Sequence, residues 1–551
     1  MVSIQMNLST ESQTASWAIF ALFLGPLSHH FYFIKGEHHL KAPFYFRTLL
    51  ILAALCSIPL TKEALSTKLG LHWPFIILLS YLASLFSSIT IYRLYLHPIR
   101  HYPGPKLAAV SKLWHSWLTR TSQNHRVINV WYEKYGEFIR TGPNEITVIH
   151  AEALEALHGP RSTCSKSDWY DILKPHVAVN TTRDKKEHEM RRKSWNPSFS
   201  KEAIPNYDAA YQRHNHHFEA LIRQHLLQDI NILDIIYRWS FDVMGEVTFS
   251  KSFETLTHSH SRHHLETLRR FLGFLGPCSP APWLIIIGAS IPGVMSGWNR
   301  MFDTCKRYIL ERMEMKSNKP DIASTFAASF QDQQPTDTLS GDAVSMVVAG
   351  SDTLASTLVY ALFHLAKSPQ YQEMLLSELR QQNILCSTAP GASNLQSLPF
   401  LNALISETLR LHNPVPTGTP RITGPEGLTI AGRYIPPFTT VVAPRYHIAR
   451  LPYCFHNPNE FDPTRWLNHK DKHIAHDTRA FSPFSLGRYG CIGRELALRQ
   501  ARVFLTVMMS KFRVELAEGE DGVAVERDMR DEFTALPGNL WVRFSERERC
   551  E

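Results

Sequence analysis

The run from Trp73 to Tyr92 contains 20 residues and no charged side chain. A helix of about 20 apolar residues is long enough to cross the hydrocarbon core of a bilayer. Backbone polar groups in lipid find partners only within a helix or a closed barrel, so this run is expected to be a spanning helix. Two shorter apolar runs precede it. One is Trp17–Leu27, which ends at His29 and His30, and the other is Thr48–Leu60, with Arg47 at its edge. Residues 1–16 hold no Lys or Arg, so the first run lacks the basic region of a cleaved signal peptide. Arg93, Arg100 and Lys106 follow the third run, and with three spans Lys35, Lys41 and Arg47 share their side. Positive charge of this kind stays in the cytoplasm. Residues 1–97 therefore read as a membrane anchor of one to three transmembrane helices, and residues 98–551 as the working domain on the cytoplasmic side.

Another charge-free run misleads. Phe271–Trp298 spans 28 residues but contains Pro277, Pro280, Pro282, Pro292 and five glycines. A helix broken this often would expose unpaired backbone groups to lipid, so short helices and apolar loops are expected there. The remainder is ordinary globular sequence, with 58 basic against 50 acidic residues in 551. That mild excess suits an anionic membrane face or an acidic protein partner and does not call for nucleic acid. Cys56, Cys164, Cys278, Cys305, Cys386, Cys454, Cys491 and Cys550 are scattered, with no Cys-x-x-Cys pair. Neither a disulfide framework nor a structural zinc site is expected.

A turn at Tyr102–Pro105 marks the junction with the anchor. Helical periodicity dominates from about Asp184 to Lys367, β-like runs such as Ile146–Ile149 and Leu428–Ile430 are brief, and the chain after Pro414 is rich in Pro and Gly. The histidines at 214, 216 and 217 and at 258, 260, 263 and 264 lie among polar residues and read as solvated faces rather than metal sites.

The segment Phe484–Gly493 reads FSLGRYGCIG. Gly487, Gly490 and Gly493 clear space around Cys491, and the helix-forming run that begins at Arg494 places the thiol at a helix N-terminus. Free N–H groups and the helix dipole there favour a thiolate, which suits a metal or haem ligand or a nucleophile. A buried cysteine beside a glycine turn is the plain alternative. Three further segments precede it in order. Ser340–Lys367 reads as a long helix starting near Ser340 or Asp342, with the glycine, acid and alcohol of Gly350, Asp352 and Thr353 at its middle. Phe400–Arg410 places Glu407 and Arg410 three residues apart on one helical face, and Phe461–Trp466 offers Arg465 in a proline turn. One carboxylate held by two guanidinium groups makes a compact buried network.

Together these segments resemble the cytochrome P-450 superfamily, from about Tyr102 to the C-terminus. The anchor and proline hinge resemble its microsomal class, and the cysteine loop resembles enzymes of filamentous-fungal secondary metabolism. The resemblance implies a mainly α fold with small β-sheets behind N-terminal transmembrane helices, with residues 98–551 forming a haem-thiolate monooxygenase domain. It implies haem b with Cys491 as axial iron ligand, whose anionic sulfur favours O–O cleavage. Asp352 and Thr353 match the proton-relay pair, and Glu407, Arg410 and Arg465 match the structural triad. Arg192, His188 and Arg421 match propionate contacts, and Phe484 and Tyr489 match loop positions against the haem. Tyr489 stands where the family most often has arginine, and a phenol brings no charge. Thr464 replaces the usual acid beside Arg465, and Leu354 follows the relay pair in place of Thr or Ser.

The implied reaction inserts one oxygen atom of O2 into a lipophilic small molecule, a terpenoid, polyketide or alkaloid of a fungal secondary pathway. Three segments are expected to line its pocket: Ser167–Val179, Val347–Thr353 and Val415–Thr419. The sequence has no Gly-x-Gly-x-x-Gly dinucleotide signature and no flavin domain. Electrons are therefore expected from NADPH through a separate membrane-bound cytochrome P-450 reductase, with cytochrome b5 as a second donor, docking on Arg488, Arg494 and Arg499. The implied location is the endoplasmic reticulum membrane. Two other readings differ in chemistry. A haem-thiolate isomerase or dehydratase needs no O2, and a membrane haem-binding sensor or scaffold needs no proton relay.

Overall fold

A computed structural model describes residues 2–57, 73–315, 320–324, 336–384, 395–467 and 476–547. Three N-terminal helices, Val2–Ser28, Ala42–Cys56 and Trp73–Ile91, precede the main domain. The first and third pack closely where Gly25 meets the backbone of Leu85 and the hydroxyl of Ser84. His39–Cys56 and Trp73–Leu96 are long and apolar enough to cross a membrane. The apolar run expected over Thr48–Leu60 is shifted: its helix begins at Ala42 and ends at Cys56, and residues 58–60 lie outside the described residues. Cys386 and Cys550 also lie outside them, and the other six cysteines are free thiols.

The proline-broken run Phe271–Trp298 is divided among helices His263–Cys278, Trp283–Ala289 and Ser296–Glu314. Its middle helix packs against Ala42–Cys56, and Arg47 donates to the Ser290 carbonyl at 3.0 Å. The connection ahead of that helix is held by ion pairs. Arg183 bridges Glu37 at 2.6 Å and Asp171 at 2.7 Å, and His39 reaches Asp171 at 2.8 Å. The N-terminal segment is thereby fastened to one expected pocket wall.

A third helix satisfies the length and hydropathy of a membrane span, Thr338–Lys367, but it runs through the protein interior with 78% of its apolar window buried. It forms the later part of helix Thr336–Lys367, which starts several residues before Ser340. Asp342 is therefore internal, and its carboxylate accepts Arg191 at 2.5 Å and the Val179 N–H at 2.8 Å. Helix Ile232–Phe249 crosses the long helix, with the Met244 side chain filling the space where a Cβ on Gly350 would stand. Close packing accounts for glycine inside a helix, where it costs about 1 kcal/mol relative to alanine.

The sheets are small. Five short strands run in the order Phe138–Gly142, Glu145–Val148, Thr440–Val442, Arg421–Ile422 and Ser165–Lys166. Only Glu145–Val148 and Thr440–Val442 pair in parallel. This sheet carries Lys166 and Arg421 as register partners. A three-stranded sheet and two hairpins, one of them Arg530–Glu532 with Thr534–Leu536, complete the β structure. The mainly helical domain with small sheets agrees with the expectation from sequence.

Candidate active site

Cys491 lies between the short 3-10 turn Gly487–Tyr489 and helix Arg494–Lys511. Its N–H donates to the Phe484 carbonyl at 2.8 Å, and Gly490 N–H donates to Gly487 O at 3.0 Å. Gly487 has φ +59°, and a Cβ there would come within 2.5 Å of the His158 carbonyl, so only glycine fits. The Phe484 ring packs against the core. Burial pushes the Cys491 thiol above its ordinary value, opposed by the Gly493 N–H and the charges of Arg192, Arg445 and Arg494. The Cys491 side chain nevertheless remains accessible, so it faces an internal space while protein surrounds it.

Above this loop is a cradle of positive groups. Arg192 Nη1 donates to the Gly490 carbonyl at 2.8 Å. His188 stands edge-on to the Tyr489 ring at 4.8 Å. The charges of Lys166 and Arg421 lie 4.8 and 5.0 Å from the centre of the same ring, and Arg421 also hydrogen-bonds the Tyr170 hydroxyl at 2.5 Å. Arg445 donates to the Ser482 carbonyl at 3.1 Å. Among the described residues, no carboxylate pairs with Lys166, Arg192, Arg421 or Arg445. Burial, with Arg421 next, depresses the Lys166 ammonium to about 6. Burial likewise lowers His188 to about 4 and Arg445 to about 10. Arg421 Nε, His188 Nδ1, both ring nitrogens of His158 and the Tyr489 hydroxyl are buried without partners among the described residues.

Buried, unpaired cations are costly unless an anion is expected among them. A dianionic, planar group bearing a soft-ligand metal answers these requirements. Its carboxylates would meet Lys166, Arg192 and Arg421, and its metal would meet the Cys491 sulfur. The residues therefore fit haem.

The long helix shows where such a group has room. Of residues 340–366, Ala349 alone is exposed, although its neighbours form the core. Thr353, one turn on, donates its hydroxyl to the Ala349 carbonyl at 2.7 Å. Asp352 points elsewhere, as adjacent helical residues must. It is buried and accepts a hydrogen bond from Thr534 Oγ1 on the C-terminal hairpin. Burial raises its carboxyl above the ordinary range, and Arg269 and Thr534 oppose that rise. Structure thus brings Thr353 to the open face and holds Asp352 behind it.

Glu407 collects the third set of residues. It accepts Arg410 Nε and Nη2 at 2.9 and 2.8 Å, Arg465 Nε at 2.9 Å, Trp466 Nε1 at 2.9 Å and the Asp462 N–H at 3.0 Å. Arg410 caps carbonyls of Ala449 and Pro458 with its remaining donors. The proposed triad is assembled, and helix Pro399–Leu411 carrying it packs on the cysteine helix.

Other expectations need amendment. Arg488 is paired with Glu189, and Arg499 grips Asp208 at 2.7 and 2.5 Å. Only Arg494 retains a loose 3.7 Å contact, to Glu495, so the expected docking face carries little unmatched charge. Lys166, Arg445, His158 and Thr534 were not foreseen, whereas Tyr170 falls within the expected wall Ser167–Val179. Lys166 stands immediately before the expected pocket wall, but one lysine in a polar sequence gives no signal. That wall is aromatic, with Trp169 stacked on Phe533 of the hairpin at 4.7 Å.

The sequence profile described as Cytochrome P450 matches residues 103–541. Tryprostatin B 6-hydroxylase of Aspergillus fumigatus is 32% identical over 535 residues, covering 93% of both chains. Cytochrome P450 monooxygenase notG' of Aspergillus versicolor is 32% identical, covering 93% of this chain and 94% of that protein. Cytochrome P450 monooxygenase lcsK of Purpureocillium lilacinum is 30% identical over 96% of this chain and 97% of its own. A crystallised cytochrome P450DA haem domain shares the fold, with a TM-score of 0.61 at 19% identity over 74% of this chain and 87% of that one. With a thiol-bearing loop, a cationic cradle for haem and this breadth of similarity, the chain belongs to the cytochrome P450 monooxygenases.

Proposed function

We propose that this monooxygenase oxidises a lipophilic small molecule of a fungal secondary pathway, with Cys491 holding the iron. The observation that carries the residue assignment is the cradle of Lys166, Arg192 and Arg421, unpaired by any described carboxylate, beside a thiol facing an open internal space. Similarity to tryprostatin B 6-hydroxylase makes tryprostatin B the first substrate to try.

When bound, haem supplies O2 activation and transfer of one oxygen atom to substrate while the other leaves as water. The chain's residues do the rest. Arg192 and Arg421 neutralise carboxylates that would otherwise be buried without partners. Thr353 presents its hydroxyl oxygen to the open face while its proton rests on Ala349. Asp352 holds a proton behind it, on the side of the helix where Thr534 bonds its carboxylate. Trp169, Tyr170 and Phe533 exclude water and present aromatic faces, as suits a largely apolar ligand. Tyr489 does not replace the missing arginine by charge; Lys166, against its ring, supplies the cation.

Residues 1–97 act in this reading as the anchor in the endoplasmic reticulum membrane, with the basic residues after Tyr92 on the cytoplasmic side. Electrons arrive from NADPH through a separate cytochrome P-450 reductase, with cytochrome b5 as an auxiliary donor. The test is turnover of tryprostatin B and a panel of indole alkaloids, terpenoids and polyketides in reductase-containing microsomes under isotopically heavy dioxygen. Product carrying one heavy oxygen, formed with one NADPH and one O2 consumed, is expected. Product formed without O2 consumption would assign the chain to the isomerase or dehydratase chemistry instead.

A further inference from the structure

The hydrogen bond between Asp352 and Thr534 joins the middle of the long helix to a hairpin 182 residues further along the chain. The hairpin turns tightly: Glu532 and Thr534 are direct register partners with only Phe533 between them. Phe533 has φ +74°, an uncommon conformation for an aromatic residue, and stacking on Trp169 holds it there. Register partners in an antiparallel pair project to the same face, with Cβ atoms roughly 5 Å apart. Glu532 and Thr534 therefore lie side by side, with Asp352 beyond the hydroxyl.

Glu532 is itself almost fully buried, at 2% exposure, and its Oε1 lacks an aligned hydrogen-bond donor although Arg530 Nε is 3.2 Å away. The Arg530 side chain is half exposed, so the row Arg530, Glu532, Thr534, Asp352 runs from solvent to the long helix. The other charged and titratable groups facing this row are Arg269, Asp531 and Tyr237. Arg269 lies flat over the Tyr237 ring at 3.6 Å. Tyr237 donates to the Ala535 carbonyl at 3.5 Å, so neither breaks the row.

We infer that the C-terminal hairpin supplies the outer leg of the proton route to Asp352, with Glu532 as its acid and Thr534 as its hydroxyl relay. This rests on the reading of Asp352 as the acid that serves the oxygen side. In one transfer, Thr534 Oγ1 gives its proton to the Asp352 carboxylate and takes one from Glu532, directly or through one water. Thr534 ends unchanged, Glu532 regains a proton from solvent beside Arg530, and no electron moves. Burial pushes both carboxyls above their ordinary range, which keeps protons on them nearer to neutral pH. Thr534 is a positioning and relay residue, not one that touches substrate.

The test uses the full-length holoenzyme in reductase-containing membranes, with NADPH and O2 and no added organic substrate. Asp352→Asn, Thr534→Val, Thr534→Ser and Glu532→Gln are compared at equal haem content. The readings are the solvent deuterium isotope effect on NADPH oxidation, the hydrogen peroxide released per NADPH, and the infrared carboxyl band assigned to Asp352 by its loss in Asp352→Asn. Thr534→Val and Glu532→Gln should each slow NADPH oxidation about tenfold, less than the ~10²-fold that a positioned acid or base contributes, and should raise the isotope effect. The Asp352 band should move in Thr534→Val and return in Thr534→Ser, with its kinetics. If Asp352→Asn changes neither isotope effect nor peroxide yield, the reading of Asp352 itself fails. If Asp352→Asn changes both while Thr534→Val and Glu532→Gln change neither, the hairpin leg is wrong and Asp352 is fed from elsewhere. Valine and serine variants that are impaired alike, with the band unmoved, would also overturn it.

Discussion

Replacing Glu407 by glutamine leaves the shape of its site intact and removes the charge that two buried guanidinium groups share. The Arg410 side chain is fully buried and that of Arg465 nearly so, and Glu407 accepts five donors. Glutamine keeps one acceptor oxygen and turns an amide N–H₂ towards Arg465, Arg410 or Trp466. Breaking a buried ion pair from one side typically costs about 3–5 kcal/mol, because the partner charge stays behind. Carbonyls of Ala449, Pro458, Glu460 and His456 already hold parts of both guanidinium groups, which favours the lower half, about 3–4 kcal/mol. Unfolding entropy of about 2.1 cal/mol/K per residue makes about 0.9 kcal/mol/K for a domain of about 450 residues. Glu407→Gln should therefore lower Tm by roughly 4 °C, read by calorimetry or by loss of the haem band on heating. Adding Arg465→Met should recover part of the loss, since it leaves one buried guanidinium, Arg410, without its carboxylate instead of two. Asp528→Asn, in the exposed pair with Arg527, should leave Tm unchanged. A Glu407→Gln chain as stable as its parent, or a double variant worse than the sum of its parts, would refute the buried-charge reasoning.

Burial raises Asp531 to about 6 from 3.8, while its bond from Thr417 opposes the rise. A raised carboxyl favours folding below pH 3.8 and loses that contribution as pH rises through about 6. Asp531→Asn should therefore gain on its parent over that window by up to about 3 kcal/mol, and denaturation curves at pH 4 to 8 read it. Lys166, lowered to about 6 by burial and by Arg421, would be recharged by a propionate, so haem capture should take up a proton and weaken as pH rises above 6. Lys166→Met should release haem to apomyoglobin several times faster and lose that pH dependence. Thr353→Ala should keep the haem band but raise peroxide per NADPH. Unchanged coupling would remove Thr353 from oxygen chemistry.

Local pattern carried much of this. The glycine spacing around Cys491, the three-residue step from Glu407 to Arg410 and the proline turn at Arg465 are short-range signals, and their geometry follows from helix and turn periodicity. The prolines in Phe271–Trp298 likewise showed that its charge-free length was not a span. Long-range pairing was not legible. Lys166 reaches the Tyr489 ring across 323 residues of sequence and Thr534 reaches Asp352 across 182, and neither residue type is distinctive alone. The start of the long helix was misplaced because Asp342 looks like a cap in sequence but is claimed by Arg191 in space. Arg488 and Arg499 looked free for the same reason, since Glu189 and Asp208 are brought to them only by folding.

The reduced, carbon monoxide-bound difference spectrum of the full-length chain, compared with Cys491→Ala, tests the central claim most directly. A strongly red-shifted Soret band that disappears in the variant is the expected result, with Lys166→Met retaining the band at lower occupancy. A folded parent chain whose haem absorbs as a histidine- or thiol-ligated species, or a Cys491→Ala chain that keeps the red-shifted band, would contradict the assignment of Cys491 as the iron ligand.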